Sequence, residues 1–315
     1  MEYTEICVRG TARRVPSLEV AGRTIVVSGK WLKVAAPKEE DFQEGEIILD
    51  PKSVIQRLQN EVGLKADVLT FSQKLTDTTP RFAFPCTWES VAAIPVLSFA
   101  DWWNNRVSGY LRKDVRRAAK RGIVVRSSKL TDEFVSGIVR IYDETPIRHG
   151  RPFWHYKKGF DAVKRENSSY IERSEFLGAF LGEELIGFLK IVYVDHVARL
   201  MQIISMDAHR EARPTNALIA KAVEVCEANG CSHLTYGKYR YGKESDSLTA
   251  FKSRNGFEEI LVPKYYVPLS VKGRLALYMH LHRGIKELIP SGVLRSLRQF
   301  RTSTYEHFPL ARKVV

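Results

Sequence analysis

The sequence predicts an α/β (α+β) chain: a mixed sheet flanked by helices, with a small N-terminal α/β unit and C-terminal helices. Three observations carry this. Between about Gly122 and Pro268, hydrophobic periodicity and turn residues give the order strand, helix, helix, three strands, helix, strand, helix, strand. The links Gly182-Glu183-Glu184 and Asp195-His196 are short, so the three consecutive strands form an antiparallel meander. A helix then separates Ala198–Met206 from His233–Tyr236, which makes a βαβ unit with a parallel pair.

In order along the chain, residues 1–97 read as the small unit. Arg23–Val27 and Trp31–Ala35 are short strands around the Ser28-Gly29 turn. Pro51 opens a helix after Asp50, with Val54, Ile55, Leu58 and Val62 at helical spacing and Gly63 as its stop. Val68–Ser72, Arg81–Phe84 and Val91–Val96 read as further strands. No catalytic constellation stands out here, and a cap or partial substrate-binding role is expected. Residues 98–269 form the main domain. Ser98 and Asp101 make a capping pattern for a helix that buries Val107, Leu111, Val115 and Ala118 and stops at Gly122. Its other face carries Arg106, Arg112, Lys113, Arg116, Arg117, Lys120 and Arg121 against one Asp114. Ile123–Val125 follow as a strand, then a helix capped by Thr131 that buries Phe134, Ile138 and Ile141 and ends at Pro146. Residues 147–158 are a loop dense in aromatics and cations, and Phe160–Arg165 starts a second helix. Phe176–Leu181 and Leu185–Val194 precede the βαβ unit, whose helix runs from Pro214 to Gly230. Ser247–Arg254 and Glu259–Pro268 close the domain. Residues 270–315 read as a basic amphipathic tail of two helices divided at Pro290, suited to packing on the domain or lying on an anionic membrane surface.

Composition excludes long disorder: the chain of 315 residues is 44% hydrophobic and 27% charged. No apolar run reaches the length of a membrane span, and Met1 to Arg14 lack the pattern of a secretory signal, so a cytoplasmic protein, with the tail as a route to the inner face of the membrane, is expected. The four cysteines have no metal-ligand spacing and read as free thiols. No metal is expected. The net charge of +13 favours an anionic partner, whether nucleic acid, phosphorylated substrate or lipid surface.

Three stretches carry a resemblance. Arg112 to Val125 joins a basic helix through Gly122 to a β-branched strand. Leu248 to Phe257 contains Phe251-Lys252-Ser253-Arg254-Asn255-Gly256, an F-K-x-x-[F/N]-G pattern. Pro214 is followed by Asn216-Ala217-Leu218. Together with the element order, these resemble the GNAT superfamily and within it the Fem-type (FemAB-like) aminoacyltransferases, over residues 98–268. The resemblance implies a GNAT-like sheet that splays two strands to admit an acyl donor. It implies N-acyl transfer, acetyl or aminoacyl, to an amine of a cell-envelope or polysaccharide precursor. The co-substrate would be acyl-CoA or aminoacyl-tRNA, with no tightly bound cofactor. The acceptor would be phosphorylated or sugar-containing, and no DNA partner is expected. The chain departs from the Fem pattern in its short N-terminal part and in lacking a long coiled-coil arm.

Candidate site residues follow. GNAT enzymes that use acetyl-CoA carry a [Q/R]-x-x-G-x-[G/A] turn whose backbone amides hold the pyrophosphate at a helix N-terminus. Here Arg210 aligns with its first position, while Arg213 and Thr215 stand where small residues belong and Pro214 removes one N–H. Arg210, Arg213, Thr215 and Asn216 are the donor-binding candidates. Direct attack of an amine on an ester needs positioning and oxyanion stabilisation rather than a protein nucleophile. Lys252 is the candidate cation, a surface lysine being the plain alternative. Tyr239 and Tyr241, in the run Tyr236 to Lys243, are candidate proton donors, with Lys238 beside them for the acceptor. In the loop before the second helix, Arg148 and Arg151 suit phosphate or carboxylate. Trp154 and Tyr156 suit a ring, and His155 (or His149) suits a base near neutral pH. The opposing reading is a catalytically inactive scaffold that binds RNA or an anionic membrane.

Overall fold

The computed structural model describes residues 2–8, 11–38, 48–61, 63–148, 150–240 and 247–281. Strands β1 (Glu2–Val8), β2 (Thr11–Val20), β3 (Arg23–Ser28) and β4 (Val34–Pro37) form an antiparallel run. Helix α1 (Pro51–Asn60) follows, with the Asp50 side chain accepting from the N–H groups of Lys52 and Ser53. It buries Val54 and Leu58 as their spacing required. Strand β5 (Val68–Ser72) then pairs parallel with β4, and β6 (Cys86–Pro95) ends this part. Two expectations need correction. Trp31 lies outside any strand and is exposed, the strand beginning three residues later. Arg81–Phe84 form no strand, because the N–H groups of Arg81 and Phe82 bond to the Tyr265 hydroxyl instead of to a neighbouring strand.

The helix expected from Ser98 to Gly122 is two helices. Helix α2 (Phe99–Asp101), capped by Ser98, runs into a π-helical turn at Trp102–Arg106. Val107 is extended, and Ser108 caps a new helix, α3 (Gly109–Lys120), by accepting the N–H of Leu111. The fully buried Trp102 sets the break: its indole N–H donates to the Asn255 carbonyl at 3.3 Å. Strand β7 (Ile123–Ser128) precedes α4 (Asp132–Asp143), which is capped by Thr131. The aromatic loop contains a small ribbon, β8 (Ile147–Arg148) with β9 (Arg151–Pro152), followed by α5 (Phe160–Asn167). The meander is β10 (Ser174–Leu181), β11 (Glu184–Val194) and β12 (Val197–Ser205). After a 3-10 turn at Asp207–Ala212 come α6 (Pro214–Ala228), β13 (His233–Lys238), α7 (Ser247–Arg254), β14 (Glu258–Pro268) and α8 (Val271–Tyr278). Of the expected tail, residues 282–315 lie outside the described residues. Among the described residues no helix is long and apolar enough to cross a membrane.

Among the described residues, twelve strands form one mixed sheet in the order β1-β2-β3-β4-β5-β14-β6-β13-β12-β11-β10-β7. The centre of this order joins the two halves of the chain. Strand β6, from the N-terminal segment, lies antiparallel between β13 and β14. Strand β14, from the C-terminal segment, lies between β5 and β6. The order β5-β14-β6-β13 thus reads alike from either end, one inner strand crossing from each half. Both halves also contain a strand, helix and parallel strand: β4-α1-β5 and β12-α6-β13. The larger core, on the C-terminal side, packs α4 and α6 against the meander around Phe188, Leu189 and Ile219. A separate cluster around Ile25, Leu69, Phe71 and Tyr265 supports the N-terminal half, with Tyr265 supplied by β14.

Candidate functional site

The site begins where β12 and β13 part. They pair parallel through only three positions, Val197 with His233, Ala198 with Leu234 and Arg199 with Thr235. Beyond that, Leu200–Ser205 and Tyr236–Lys238 diverge, so their facing backbone groups open onto a cleft. A bulge re-aims β12 at this point: Lys190 pairs with Gln202 and Ile191 with Leu200, which leaves Met201 as the extra residue.

On the α6 side of the cleft, the turn expected to bind a donor phosphate is closed off by its own bonds. Arg213 has a left-handed backbone, φ 62°, and its carbonyl accepts from the N–H groups of Asn216 and Ala217. Pro214 supplies no donor. The Thr215 hydroxyl meets Ser205 Oγ at 2.9 Å, and Asn216 Nδ2 donates to Asn255 Oδ1 at 3.2 Å. Arg210 is exposed. Arg213 Nε lies 3.4 Å from Asp114 Oδ1, tying this turn to the middle of α3.

Glu144, at the end of α4, is a residue that the sequence did not single out. Its carboxylate accepts the N–H of Asp207 at 2.6 Å and of Ala208 at 2.7 Å, and it pairs with Arg148 at 3.2 Å. A protein carboxylate therefore caps the first amides of the 3-10 turn that leads into the expected donor turn. Nothing in the sequence separates Glu144 from an ordinary helix-end acid.

The other wall comes from the aromatic loop. Arg148 stacks over Phe153 at 4.6 Å, and besides Glu144 it reaches the Ile141 carbonyl. Trp154 is 54% exposed, with Lys158 Nζ 3.5 Å above its ring; Lys158 in turn pairs with Glu166. Tyr156 is half-buried beside Lys157. Only the backbone of Arg151, in β9, belongs to the described residues, and His149 and Tyr241 lie outside them. His155 points inward. It is 6% exposed and packs against Tyr142 with ring centres 4.3 Å apart, and its Nε2 lies 3.3 Å from Gln202 Nε2. Gln202 also bonds the Tyr142 hydroxyl at 2.6 Å. Burial, with Lys158 and Arg148 nearby, pushes the His155 pKa down to about 3. Such an imidazole stays neutral at physiological pH and is a poor proton acceptor, which argues against the expected base. Burial pushes the Tyr142 pKa up. Lys190 lies close by, buried, with its Nζ held by the carbonyls of Asn167 and Ser169; burial lowers its pKa to about 8.

At the end of β13, Lys252 is fully buried. Its Nζ donates to the Lys238 carbonyl at 2.5 Å and lies 4.7 Å from the centre of the Tyr236 ring. The plain alternative of a surface lysine is thereby excluded. Tyr239 is half-buried: its N–H donates to the Ser90 carbonyl on β6, and its carbonyl accepts from Thr249. Lys238 points to solvent and pairs with Glu89 at 3.4 Å. The site thus brings Lys252, Lys238 and Tyr239 together at one strand end, Arg213 to Asn216 at the adjacent helix start, and Arg148 and His155 on the opposite side of β12.

Beside the donor turn runs a ladder of cations. Lys113, Arg116, Arg117, Lys120 and Arg121 line a shallow groove of about 400 Å³ along one side of α3. None of the five has an ion-pair partner among the described residues. Helical rise spreads them over about 12 Å.

No family model matches the chain, and no curated protein matches its sequence. Solved structures do match. FemX aligns with TM-score 0.58 and 10% identity over 88% of this chain and 90% of its own. The C-terminal domain of a protein from Agrobacterium fabrum described as a lysylphosphatidylglycerol synthetase aligns with TM-score 0.57 and 13% identity over 88% and 87%. L-PGS from Bacillus licheniformis aligns with TM-score 0.53 and 12% identity over 82% and 86%. The alignments exceed four-fifths of each chain, so they take in the N-terminal half as well as the parted strands. Identities this low speak to the fold alone, and that fold is the Fem-type, GNAT-like one.

Proposed function

We propose that the protein transfers an aminoacyl group from a charged tRNA to an amine, at the cleft between β12 and β13. The observation that carries this reading is the donor turn. Just ahead of it the amides of Asp207 and Ala208 are taken by Glu144, at its end those of Asn216 and Ala217 are taken by the Arg213 carbonyl, and Pro214 between them has no N–H. A pyrophosphate that needs those amides has little to bind, which disfavours acyl-CoA. The α3 ladder beside the turn instead suits a polyanion, because each neutralised phosphate releases counterions. The name lysylphosphatidylglycerol synthetase, carried by one structural neighbour, favours an aminoacyl product; a cell-envelope precursor as acceptor belongs to the same reading.

In this mechanism the amine nitrogen attacks the ester carbonyl of the donor. The new N–C bond forms, the C–O bond to the tRNA breaks, and the amine proton ends on the departing hydroxyl through solvent or Tyr239. The protein positions both partners and excludes water. Lys252 places its Nζ as a hydrogen-bond donor at the end of β13, on the side of the developing oxyanion. His155, being neutral, orients Gln202 rather than taking a proton. Arg148 and Trp154 face the acceptor.

The reading is tested by titrating the full chain with tRNA and with coenzyme A across salt concentrations. Replacing Lys113, Arg116 and Lys120 by Gln should weaken tRNA binding at least 10-fold and reduce the slope of log affinity against log salt by about 2–3. Saturable micromolar binding of coenzyme A with no tRNA binding would refute the proposed donor. Steep tRNA binding without any transfer would favour the inactive RNA-binding scaffold.

A further inference from the structure

Helix α8 turns its smallest side chains to the sheet and its largest to solvent. Gly273 and Ala276 are its buried residues. Val271, Leu275 and Tyr278, spaced four and three positions apart, share one face. They are 74%, 57% and 84% exposed, and Met279 at the helix end is exposed beside them. A surface helix ordinarily does the reverse and buries its apolar stripe.

The backbone fixes this orientation. A Cβ at Gly273 would collide with the Asp67 carbonyl, so only glycine packs there, just ahead of β5. Ser270 caps the helix: its hydroxyl accepts the Gly273 N–H at 3.0 Å and donates to Asp67 Oδ1 at 2.8 Å. The Leu269 N–H donates to the Asp67 carbonyl at 2.8 Å. Turning the stripe inward would break this cap and drive a side chain into the Asp67 backbone.

The apolar patch extends to Trp31, which is 61% exposed. Lys272 Nζ lies 4.8 Å from the centre of its ring and donates to its carbonyl, which joins the tryptophan to the first turn of α8. Cations flank these apolar groups. Lys272 keeps 41% of its side chain exposed, and Lys30, Lys33 and Arg274 are exposed. Asp67, the acid that touches this helix, already bonds Ser270, the Lys33 N–H and Lys272.

An apolar helix face, a tryptophan and a tyrosine at its edges and a rim of cations suit the headgroup layer of an anionic bilayer. The size of the patch favours a bilayer over a protein partner. A helix of eight residues is about 12 Å long and 10 Å wide. A stable protein partner covers about 800 Å² on each side. A bilayer needs no matching shape. We propose that α8 and Trp31 form a docking surface for an anionic lipid bilayer, with Val271, Leu275 and Tyr278 entering the headgroup layer. Strands β13 and β14 both run antiparallel to β6, so α8, which follows β14, stands at the end of the sheet where the cleft opens.

This proposal does not rest on the transfer reaction. The full chain is sedimented with vesicles of phosphatidylcholine, and with vesicles that also contain phosphatidylglycerol. Binding about 10-fold or more tighter to the anionic vesicles, and weaker at high salt, is expected. Leu275→Gln with Tyr278→Gln keeps the net charge and should weaken that binding about 10-fold or more. Both side chains are exposed, so the urea unfolding midpoint should stay that of the natural chain. Trp31→Ala, outside any strand or helix, should weaken binding about 3-fold and decides the matter if the double variant does not fold. No binding to anionic vesicles would overturn the proposal. Binding unchanged in either variant would overturn it too, and its loss on replacing Lys113, Arg116 and Lys120 by Gln instead would place the contact on α3. A lowered unfolding midpoint in the double variant, or a dimer that it dissociates, without vesicle binding by the natural chain, would show that protein covers the stripe and would equally overturn it.

Discussion

Lowering the pH from 7.5 to 5 should destabilise this protein through His155. In the folded state the imidazole pKa is about 3, because burial and the neighbouring cations Lys158 and Arg148 disfavour its charged form. In the unfolded chain the group returns to about 6.5. Between those values the unfolded state binds the extra proton, so stability falls as pH falls. At pH 7.5 both states are neutral and the contribution is near zero. At pH 5 the unfolded state gains about 2 kcal/mol. Solvent screening at the loop surface would reduce this to nearer 1 kcal/mol. The assay is urea unfolding at both pH values for the natural chain and His155→Gln. Other titrating groups are common to both proteins, so the difference of differences isolates the histidine. His155→Gln should lower stability at pH 7.5 yet lose about 1–2 kcal/mol less on going to pH 5. Equal losses in the two proteins would refute the claim that His155 is buried and neutral.

Two further substitutions probe the frame of the cleft. Glu144→Gln removes the charge that holds the Asp207 and Ala208 amides and pairs with Arg148. Urea unfolding should show a loss of about 1.5–3 kcal/mol, and a loss below half of that would mean that the turn holds itself. Gly256→Ala meets two obstacles: φ is +80°, and a Cβ would lie 2.7 Å from Trp102 Nε1. Its cost should be about 2–4 kcal/mol. Gly182→Ala, at φ +59° with open space around it, should cost only about 1 kcal/mol. Equal costs at the two glycines would show that Trp102 yields freely.

The element order of the C-terminal half was legible because its signals are local. Thr131 and Asp50 cap the helices as read, Pro214 opens α6, and Phe251 to Gly256 form α7 and its turn. The break at Val107 escaped notice because its cause, Trp102 against Asn255, spans 153 positions in the chain. Strand β2 is not legible because Arg13, Arg14 and Pro16 interrupt the alternation of apolar residues that marks a strand. The exchange of β6 and β14 between halves is a non-local pairing that no periodicity encodes. The motif around Lys252 is legible in the sequence, while the complete burial of this lysine emerges only from the fold. Glu144 and Gln202 carried no signal at all, since their importance lies in what faces them. The aromatic loop was legible as a constellation, yet His155 and Trp154, adjacent in sequence, point to opposite environments.

The most direct test of the central claim is single-turnover transfer from tRNA charged with radiolabelled amino acids to an amine acceptor, run beside an equal assay with acetyl-CoA. The account predicts label moving from tRNA to the acceptor amine. It predicts that Lys252→Met slows this step by about 100-fold or more while the protein remains folded. Transfer from acetyl-CoA alone, or tRNA transfer unaffected by Lys252→Met, would contradict it.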